Sequence, residues 1–302
     1  MSSNLVIVRP LSITDAMLIS SNVAENDHAA WAAGTTYALG ARVILTSTHK
    51  VYESLQASNT GKNPVTETAW WIEVSPTNRW KVFDGANSTQ TAQATSITYT
   101  LRPATSITAL ALLNVAGATT LTATVTDPTF GTVFSKTFDF TALPLVSTWH
   151  AWFFGTRRAP RQWVSLELPS YPNADIAISL SGGASLAVGV ILLGQQQRFG
   201  MAVNHGARVG ITDYSRKETN DFGDTVLVQR AFAKRATLDV SLPPEEVDTL
   251  QASLADVRAV PALWVAEGPY ESAVLYGFYK NFEITISYAL LSECQLDLEG
   301  LT

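Results

Sequence analysis

The feature that most constrains the fold is a succession of short strand patterns between residues 78 and 200, with no helical period between them. Apolar and polar residues alternate in several segments, namely 96–101, 121–125, 131–138, 163–168 and 175–180. Alternation of this kind is typical of strands that bury one face. About eight strands at roughly ten-residue spacing predict a β-sandwich for this part of the chain. The apolar run 186–193 predicts a buried strand, and Ser181-Gly182-Gly183 predicts a tight hairpin turn before it.

From about residue 201 onward, the pattern adds one helix to a further set of strands. The strand patterns lie at 208–213, 225–232, 236–242, 262–265, 274–278, 282–288 and 294–298. Pro243-Pro244-Glu245-Glu246 predicts a helix start, because proline is tolerated in a first turn and acidic residues favour the positive end of the helix dipole. Pro261 predicts the end of the helix. One apolar stripe lies between them at helical spacing, namely Val247, Leu250, Leu254 and Val257.

The charge and cysteine content of the chain exclude several classes of function. The 302 residues carry a formal net charge of −6, and no lysine or arginine cluster is longer than Arg157-Arg158. Nucleic acid is therefore not an expected partner, because phosphate binding needs concentrated cations. The single cysteine, Cys294, cannot form a disulfide within the chain and is expected in the core. The N-terminus lacks a secretory signal and no apolar run approaches about 20 residues, so we expect synthesis in a cytoplasm and no membrane insertion.

No motif for a reacting centre is present in the sequence. None of the four histidines belongs to a metalloprotease helix, a Cys/His cluster or a nucleophile elbow. His49 is expected to be a turn residue. The acidic residues around Tyr214 do not have the spacing of a calcium loop, so a solvated loop is expected there; they are Asp213, Glu218, Asp221 and Asp224. We therefore expect no catalytic residue, no metal, no cofactor and no enzyme activity.

Aromatic and β-branched residues come in short bursts between residues 31 and 74, separated by turn formers. Residues 59–64 supply Asn, Gly and Pro in succession, and each can reverse the chain. The segment has no helical period, so three or four short strands are expected in a compact unit of about fifty residues. A core this small has to be filled by large rings.

The order of these residues resembles a known family. Trp31, Tyr37, Gly40, Val43, Val51-Tyr52, Gly61, Pro64 and Trp71 follow one another as in the small chitin- and cellulose-binding modules of bacterial chitinases and cellulases. The cassette is also similar to one in phage and prophage tail proteins, where a stretch like Thr77-Asn78-Arg79-Trp80-Lys81-Val82-Phe83-Asp84-Gly85 follows it. The resemblance implies a three-stranded carbohydrate-binding-like module at 26–77 and favours the phage context.

The same resemblance implies a sugar site built from aromatic residues. Its members place two adjacent exposed aromatics after the Val-Tyr strand, whereas this chain has Leu55 and Gln56 there, which offer no flat π surface. Trp71 corresponds to the closing core tryptophan, so Trp70 is expected on the opposite face of an extended segment. Trp70 is then either a platform for a sugar or a protein, or a residue packed against the next domain. The candidate carbohydrate-binding residues are Trp70, Tyr37, Tyr52 and Trp31.

A second aromatic segment lies at 149–161, where four aromatic rings precede three arginines. Arginine stacks on rings and pairs with carboxylates or sugar acids, so Trp152, Arg157 and Arg158 are candidates for a secondary binding edge. The alternative interpretation is a strand of core aromatics followed by a solvated basic loop.

The patterns divide the chain into an N-terminal packing segment at 1–25, the module at 26–77, a sandwich at 78–200 and a sandwich with one helix at 201–302. The third part resembles jelly-roll sandwiches of the galactose-binding type, and the fourth resembles tail-tube-like sandwiches of phage tails. The resemblances imply a virion structural subunit of a tail tip or baseplate, which forms a ring-like homo-oligomer and contacts other tail proteins and bacterial surface polysaccharide. The alternative hypothesis is a glycan-binding adhesin or an accessory protein of a polysaccharide-degrading system.

Overall fold

The computed structural model describes residues 4–141, 148–154, 159–200, 202–203, 207–219, 223–266, 271–288 and 290–301. Strands account for 54% of it and helices for 9%, which confirms the predicted mainly-β, β-sandwich-like fold. The chain forms two compact units. One consists of Met1–Leu11 with Leu193–Thr302, and the other is Ser12–Leu192. The N-terminal residues therefore belong to the same unit as the C-terminal third of the chain.

The strands of the described part are numbered along the chain. β1 to β12 are Leu5–Pro10, Leu18–Ser21, Thr36–Tyr37, Arg42–Leu45, Lys50–Ser54, Asn59–Thr60, Trp71–Pro76, Thr91–Ala92, Ser96–Leu101, Ala109–Leu113, Ala116–Asp127 and Gly131–Asp139. β13 to β23 are Trp163–Ser165, Asp175–Val188, Val190–Phe199, Ala202–Val203, Arg208–Asp213, Arg216–Thr219, Thr225–Val228, Phe232–Leu242, Ala262–Ala266, Val274–Tyr288 and Leu291–Gly300. The α-helices are α1, Trp149–Phe154, and α2, Val247–Asp256. Short 3-10 helices lie at Asp15–Met17, Lys81–Phe83, Pro244–Glu246 and Glu271–Ala273.

The unit that holds both termini is built on one antiparallel sheet crossed by α2. Its strands run in the order β15-β1-β21-β22-β23-β20-β16, and β17 also pairs with β20. Strand β1 lies between β15 and β21, and its residues 5–8 are fully buried. The predicted helix is confirmed: it follows a 3-10 turn that begins at Pro244, and it packs Leu250, Leu254 and Val257 into the core beside Trp264. Cys294 lies in the same core, as the sequence predicts.

Strand β22 is one long strand where the sequence pattern indicates two. A register shift between Tyr279 and Asn281 in its pairing with β23 accommodates the interruption at 279–281 without ending the strand. Gly277 allows the close approach of the two strands, because a Cβ at this position would lie 2.0 Å from the carbonyl oxygen of Glu299.

The other unit contains a six-stranded antiparallel sheet of order β12-β11-β14-β9-β2, with β8 paired to β14. Alternate residues of β9, β11 and β14 are buried, as the period-two pattern of the sequence predicts. Strands β10 and β13 pair with each other, and all five residues of β10 are buried. The chain turns at Asp127-Pro128: the Asp127 Oδ1 atom accepts hydrogen bonds from the backbone N–H groups of Thr129 and Phe130, and the chain returns as β12.

The prediction of a tight turn at Ser181-Gly182-Gly183 is wrong. These residues lie inside β14, which continues from Asp175 to Val188. The glycines serve strand pairing: Gly182 pairs with Ala118 where the register of β11 and β14 shifts, and a Cβ on Gly182 would lie 2.3 Å from the carbonyl oxygen of Gly117. Glycine signals a close backbone approach as readily as a turn. The predicted buried run at 186–193 is confirmed, although Gly189 divides it between β14 and β15.

The predicted small module forms within the second unit. Its three-stranded antiparallel sheet has the order β4-β5-β7, and β3 pairs with β6 beside it. The core consists of Tyr37, Val43, Tyr52 and Trp71, so large rings fill it as expected. Tyr37 and Trp71 meet edge to face, with their ring centroids 5.2 Å apart.

Candidate interaction surfaces

Two of the four candidate sugar-binding residues belong to the core of the module. Tyr37 is 9% exposed and Tyr52 is 6% exposed. The Tyr37 hydroxyl accepts a hydrogen bond of 2.8 Å from the backbone N–H of Ala32, and Trp71 Nε1 donates one of 2.9 Å to the carbonyl of Lys62. A buried ring offers no face to a sugar, so Tyr37 and Tyr52 stabilise the module.

The other two candidates lie at the border of this core. Trp31 and Trp70 are both half-buried and pack against the core of the module. Trp70 precedes β7 in a turn, where its backbone N–H bonds to the carbonyl of Glu67 at 2.9 Å, so strand alternation does not place it opposite Trp71. The Lys62 ammonium lies 5.5 Å from the centre of the Trp70 ring, within the range of a cation–π contact. Trp70 is thus a partly available aromatic surface with a cation beside it.

The position after the Val-Tyr strand is exposed but aliphatic. Leu55 is 43% exposed, and its backbone N–H bonds to the carbonyl of Trp70 at 2.9 Å. Gln56 is also exposed, and its side-chain amide donates to the carbonyl of Ala69 at 3.0 Å. Leu55, Gln56 and Trp70 therefore lie close together on the surface of the module.

A polar cluster around Glu25 fixes the module to the residues that follow it. The Glu25 carboxylate is 9% exposed and accepts a hydrogen bond of 2.7 Å from the Thr77 hydroxyl. His49 Nδ1 lies 2.9 Å from the same carboxylate, and Arg79 Nη1 lies 3.7 Å from it. The Arg79 Nε atom also donates to the carbonyl of Val23 at 2.6 Å. His49 is a turn residue, as predicted, and its φ is 57°.

A row of rings in contact with one another reinforces this junction. The His49 ring stacks on Trp80 at 4.3 Å between centroids, and Trp80 meets Phe83 edge to face at 5.6 Å. Phe83 in turn meets Tyr99 of β9 at 5.3 Å, and the Tyr99 hydroxyl donates to the carbonyl of Arg79 at 2.7 Å. Burial raises the pKa of Tyr99, so its hydroxyl stays protonated. The stretch 77–83 therefore joins the module to β9.

Asn78 completes the junction with hydrogen bonds on both sides. Its side-chain amide donates to the carbonyl of Ala92 at 2.9 Å and accepts from the N–H of Ala92 at 3.0 Å, as a neighbouring strand would. Its backbone N–H donates to the Asp27 carboxylate at 2.6 Å. Sequence patterns miss Glu25 and Asp27 because Thr77 and Asn78, to which they bond, lie more than fifty positions away along the chain.

The aromatic segment 149–154 is a short helix with exposed rings, so its interpretation as a strand of core aromatics is wrong. Trp149 is 81% exposed, Phe153 is 69% exposed and Phe154 is 76% exposed. Trp149 and Phe153 are one turn apart, with ring centroids 6.4 Å apart and ring planes 23° apart. Trp152 lies within α1, but its side chain is outside the described part, and Arg157 and Arg158 lie outside the described residues.

The hairpin of β18 and β19 is exposed over its whole length. All four residues of each strand are exposed, and three consecutive ones are apolar: Val226 at 52%, Leu227 at 75% and Val228 at 40% exposure. Arg216 and Glu218 form an ion pair of 2.9 Å on β18. The acidic loop predicted around Tyr214 is partly replaced by this hairpin, and Asp221 lies outside the described residues.

The sheet next to this hairpin carries further exposed apolar residues. Val209, Ile211 and Phe232 are between 52% and 57% exposed. The register of β17 and β20 places Val209 opposite Ala236 and Asp213 opposite Phe232, so all three apolar residues share the face of the buried Ala236. The face of the sheet that forms the core therefore extends past the core residues, and its side chains there are exposed among the described residues.

A charged pair lies at the base of the same region. Glu299 is 8% exposed, forms an ion pair with Lys280, and accepts a hydrogen bond of 2.7 Å from the Tyr214 hydroxyl. The hydrogen bonds from Lys280 and Tyr214 lower the pKa of Glu299. The hydrogen bond from Tyr214 to Glu299 ties the turn after β17 to β23, which is a structural role.

No arrangement suited to metal chemistry occurs in the described part of the chain. Among those residues, no three His, Cys, Asp or Glu side chains come together in a way that would hold a metal ion. None of the described helices reaches the length and apolarity that crossing a bilayer requires. No protein-family model matches this chain, and a search of the curated proteins gives no match.

Proposed function

We propose that this protein is a structural subunit of a phage tail tip or baseplate, where it assembles with copies of itself into a ring and contacts other tail proteins. The observation that carries the proposal is the exposed hairpin of β18 and β19. The resemblance of 31–71 and 77–85 to segments of phage tail proteins supports the viral context.

The hairpin has little to stabilise it in water. An isolated two-stranded hairpin is marginal without a hydrophobic face to bury. Val226, Leu227 and Val228 are consecutive, and side chains alternate along a strand, so both faces of β19 carry apolar groups. A partner that covers both faces accounts for this sequence better than solvent does.

The partner that fits best is a second copy of the chain. The exposed residues Val209, Ile211 and Phe232 lie on the face that continues from the core toward the hairpin, and Lys234 and Asp213 share this face. The face therefore offers the hairpin apolar side chains set among charged ones. Contacts between different surfaces of identical chains close into rings when the rotation permits.

The test is the mass of the full-length chain in solution, measured by light scattering over a range of concentrations. The Leu227→Asp variant is expected to remain a monomer at concentrations where the unmodified chain associates. The Leu39→Asp variant is the matched control, because Leu39 is 67% exposed in the module. A monomeric unmodified chain at every concentration, or equal loss of association in both variants, would refute the proposal.

A second candidate function is glycan binding, which the Trp70 surface favours. The ring is half-buried, Lys62 lies 5.5 Å from its centre, and Leu55 extends the same surface. The full-length chain should then be retained on chitin, cellulose or bacterial lipopolysaccharide, and Trp70→Ala should abolish the retention. If retention is absent, or is unchanged by Trp70→Ala, glycan binding is refuted and assembly remains the proposed function of the module.

A further inference from the structure

The four strands β17, β20, β23 and β22 lie side by side, and this row ends in an unpaired strand edge on each side. β17 pairs with β20 alone among the described strands. β22 pairs with β21 over 274–277 and with β23 over 277–288, so beyond residue 277 it has one neighbour in the described part of the chain. A free edge presents backbone N–H and C=O groups that can pair with another strand.

Both edges carry apolar side chains on the same face of the sheet. On β17 these are Val209 and Ile211, which lie on the core face and are 52% and 57% exposed. On β22 the register places Phe282 and Ile284 opposite buried core residues of β23, and both are only partly buried. Ile286, two positions further along β22, is 76% exposed. The core face therefore reaches each edge with apolar groups that are incompletely covered.

The directions of the four strands allow the row to be repeated from copy to copy. All three pairings within it are antiparallel, so β17 and β23 run in one direction and β20 and β22 run in the other. Rotation about the axis of a ring keeps the direction of every strand that follows the axis. β17 of one copy is then antiparallel to β22 of the next copy, as neighbouring strands within each copy are.

The charges on the outer face also fit a contact between these two different edges. Arg208 on β17 lies opposite Thr237, and Glu283 on β22 lies opposite Gln295, so both lie on the face away from the core. Both charged side chains are exposed. Pairing β17 with β22 brings opposite charges to one side of the joined sheet, whereas pairing of two β22 strands centred on Glu283 brings like charges together.

The edge strand β12 of the other unit shows how an edge can be protected. The register of β11 and β12 places Lys136 opposite the buried Ala123, so a charged side chain lies on the core face of this edge. Lys136 also forms an ion pair of 3.1 Å with Glu167. A charge on the inward face of an edge strand opposes the addition of another strand. On β17 and β22 the corresponding positions Ile211, Phe282 and Ile284 are apolar.

We propose that β17 of one copy pairs with β22 of the next copy, so that one antiparallel sheet continues around the ring. This inference rests on the proposed assembly into a ring, and it adds a backbone contact to the contact made by the hairpin of β18 and β19. The partner is a second copy of this chain, because the two edges match in strand direction, apolar face and charge. A closed ring of such sheets leaves neither edge free.

The first test is amide hydrogen exchange of the full-length chain, compared between dilute monomer and concentrated assembly. About every second amide of 208–213 and 281–286 should exchange at least about tenfold more slowly in the assembly, because alternate N–H groups of an edge strand point away from its existing neighbour. The amides of 132–138 in β12 are the matched control and should exchange at the same rate in both states.

The second test is the association constant of variants of the full-length chain, measured by light scattering. Ile286→Asp should weaken association at least about tenfold, because it removes an apolar side chain from the joined core face. Arg208→Glu and Glu283→Arg should each weaken it about two- to fivefold at low salt, and the chain with both changes should regain most of the loss. Lys136→Glu on β12 is the matched control for charge and should leave association unchanged.

The outcomes separate this inference from the proposed function. If the unmodified chain stays monomeric at every concentration, both fail. If it associates and Leu227→Asp prevents this, while Ile286→Asp associates normally and 281–286 exchange at one rate in both states, the hairpin assembles the copies and the pairing of β17 with β22 is wrong. A doubly reversed chain that associates no better than Arg208→Glu or Glu283→Arg alone also overturns the inference.

Discussion

Two adjacent glycines in β14 provide a sharp test of the pairing between β11 and β14. Gly182 and Gly183 have no left-handed backbone conformation, so alanine is compatible with the φ angle of each. The space around them differs. A Cβ on Gly182 would lie 2.3 Å from the carbonyl oxygen of Gly117 and 3.0 Å from the Leu186 side chain, whereas a Cβ on Gly183 would meet nothing within 4 Å.

The expected effects on the free energy of unfolding have opposite signs. Alanine at Gly183 should stabilise the unit by about 0.4–1 kcal/mol, because it restricts the unfolded chain at no cost to the folded one. Alanine at Gly182 gains the same amount but displaces a backbone carbonyl, and overpacking of this kind costs about 1–3 kcal/mol. The gain is common to both variants, so they should differ by the overpacking cost of about 1–3 kcal/mol, which corresponds to about 2–12 °C in melting temperature for a unit of this size.

The measurement is differential scanning calorimetry of the full-length chain with each single substitution. Gly182→Ala should lower the melting temperature of the transition that contains Ser12–Leu192, and Gly183→Ala should leave it unchanged or raise it. If both substitutions shift the transition equally, residues 181–183 form an exposed turn after all, and the continuous strand described above is incorrect.

Two further predictions concern the unit that holds the termini. The lowered pKa of Glu299 means that its contribution to stability is complete above the usual carboxyl pKa of 4.5 and is lost as the pH falls through the lower folded value. Glu299→Gln should therefore flatten the fall in melting temperature below about pH 5, Glu283→Gln on the exposed side of β22 should not, and an unchanged profile in Glu299→Gln would contradict the role of Lys280 and Tyr214. Burial raises the pKa of Cys294 to about 11, so its thiol should react with a disulfide reagent at pH 8 at least about a hundredfold more slowly in the folded chain than in denaturant. Equal rates in the two states would place Cys294 at the surface.

Local patterns predict the elements whose period agrees with their surroundings. The alternation at 96–101 and the stripe of Leu250, Leu254 and Val257 correspond to β9 and to the buried side of α2. β9 and α2 each bury only one face, and the spacing of their apolar residues shows directly which face that is. The aromatic core of the module is predictable for a related reason, since few side chains other than large rings can fill so small a volume.

Local sequence patterns fail to predict a residue's environment where that residue's type is determined by a contact with a residue far away in the chain. Gly182 resembles a turn former, but its reason for being glycine is the carbonyl of Gly117 on another strand. Trp70 resembles a strand residue, yet β7 begins only at Trp71. The run 149–154 has enough aromatic residues for a core strand, and nothing in its order of letters reveals that Phe153 and Phe154 are exposed.

The hydrogen bonds that meet at Glu25 fix the direction in which the small module presents its surface to a partner. A chain that begins at residue 26 would lack the Glu25 carboxylate. Its His49, Thr77 and Arg79 side chains would then lose the contacts that fix the orientation of the module. In the intact protein these contacts, together with the rings from His49 to Tyr99, set the orientation of the module relative to β9. A partner of Leu55 and Trp70 has to bind from one side. The entropy cost of orienting that surface is incurred during folding and not during binding.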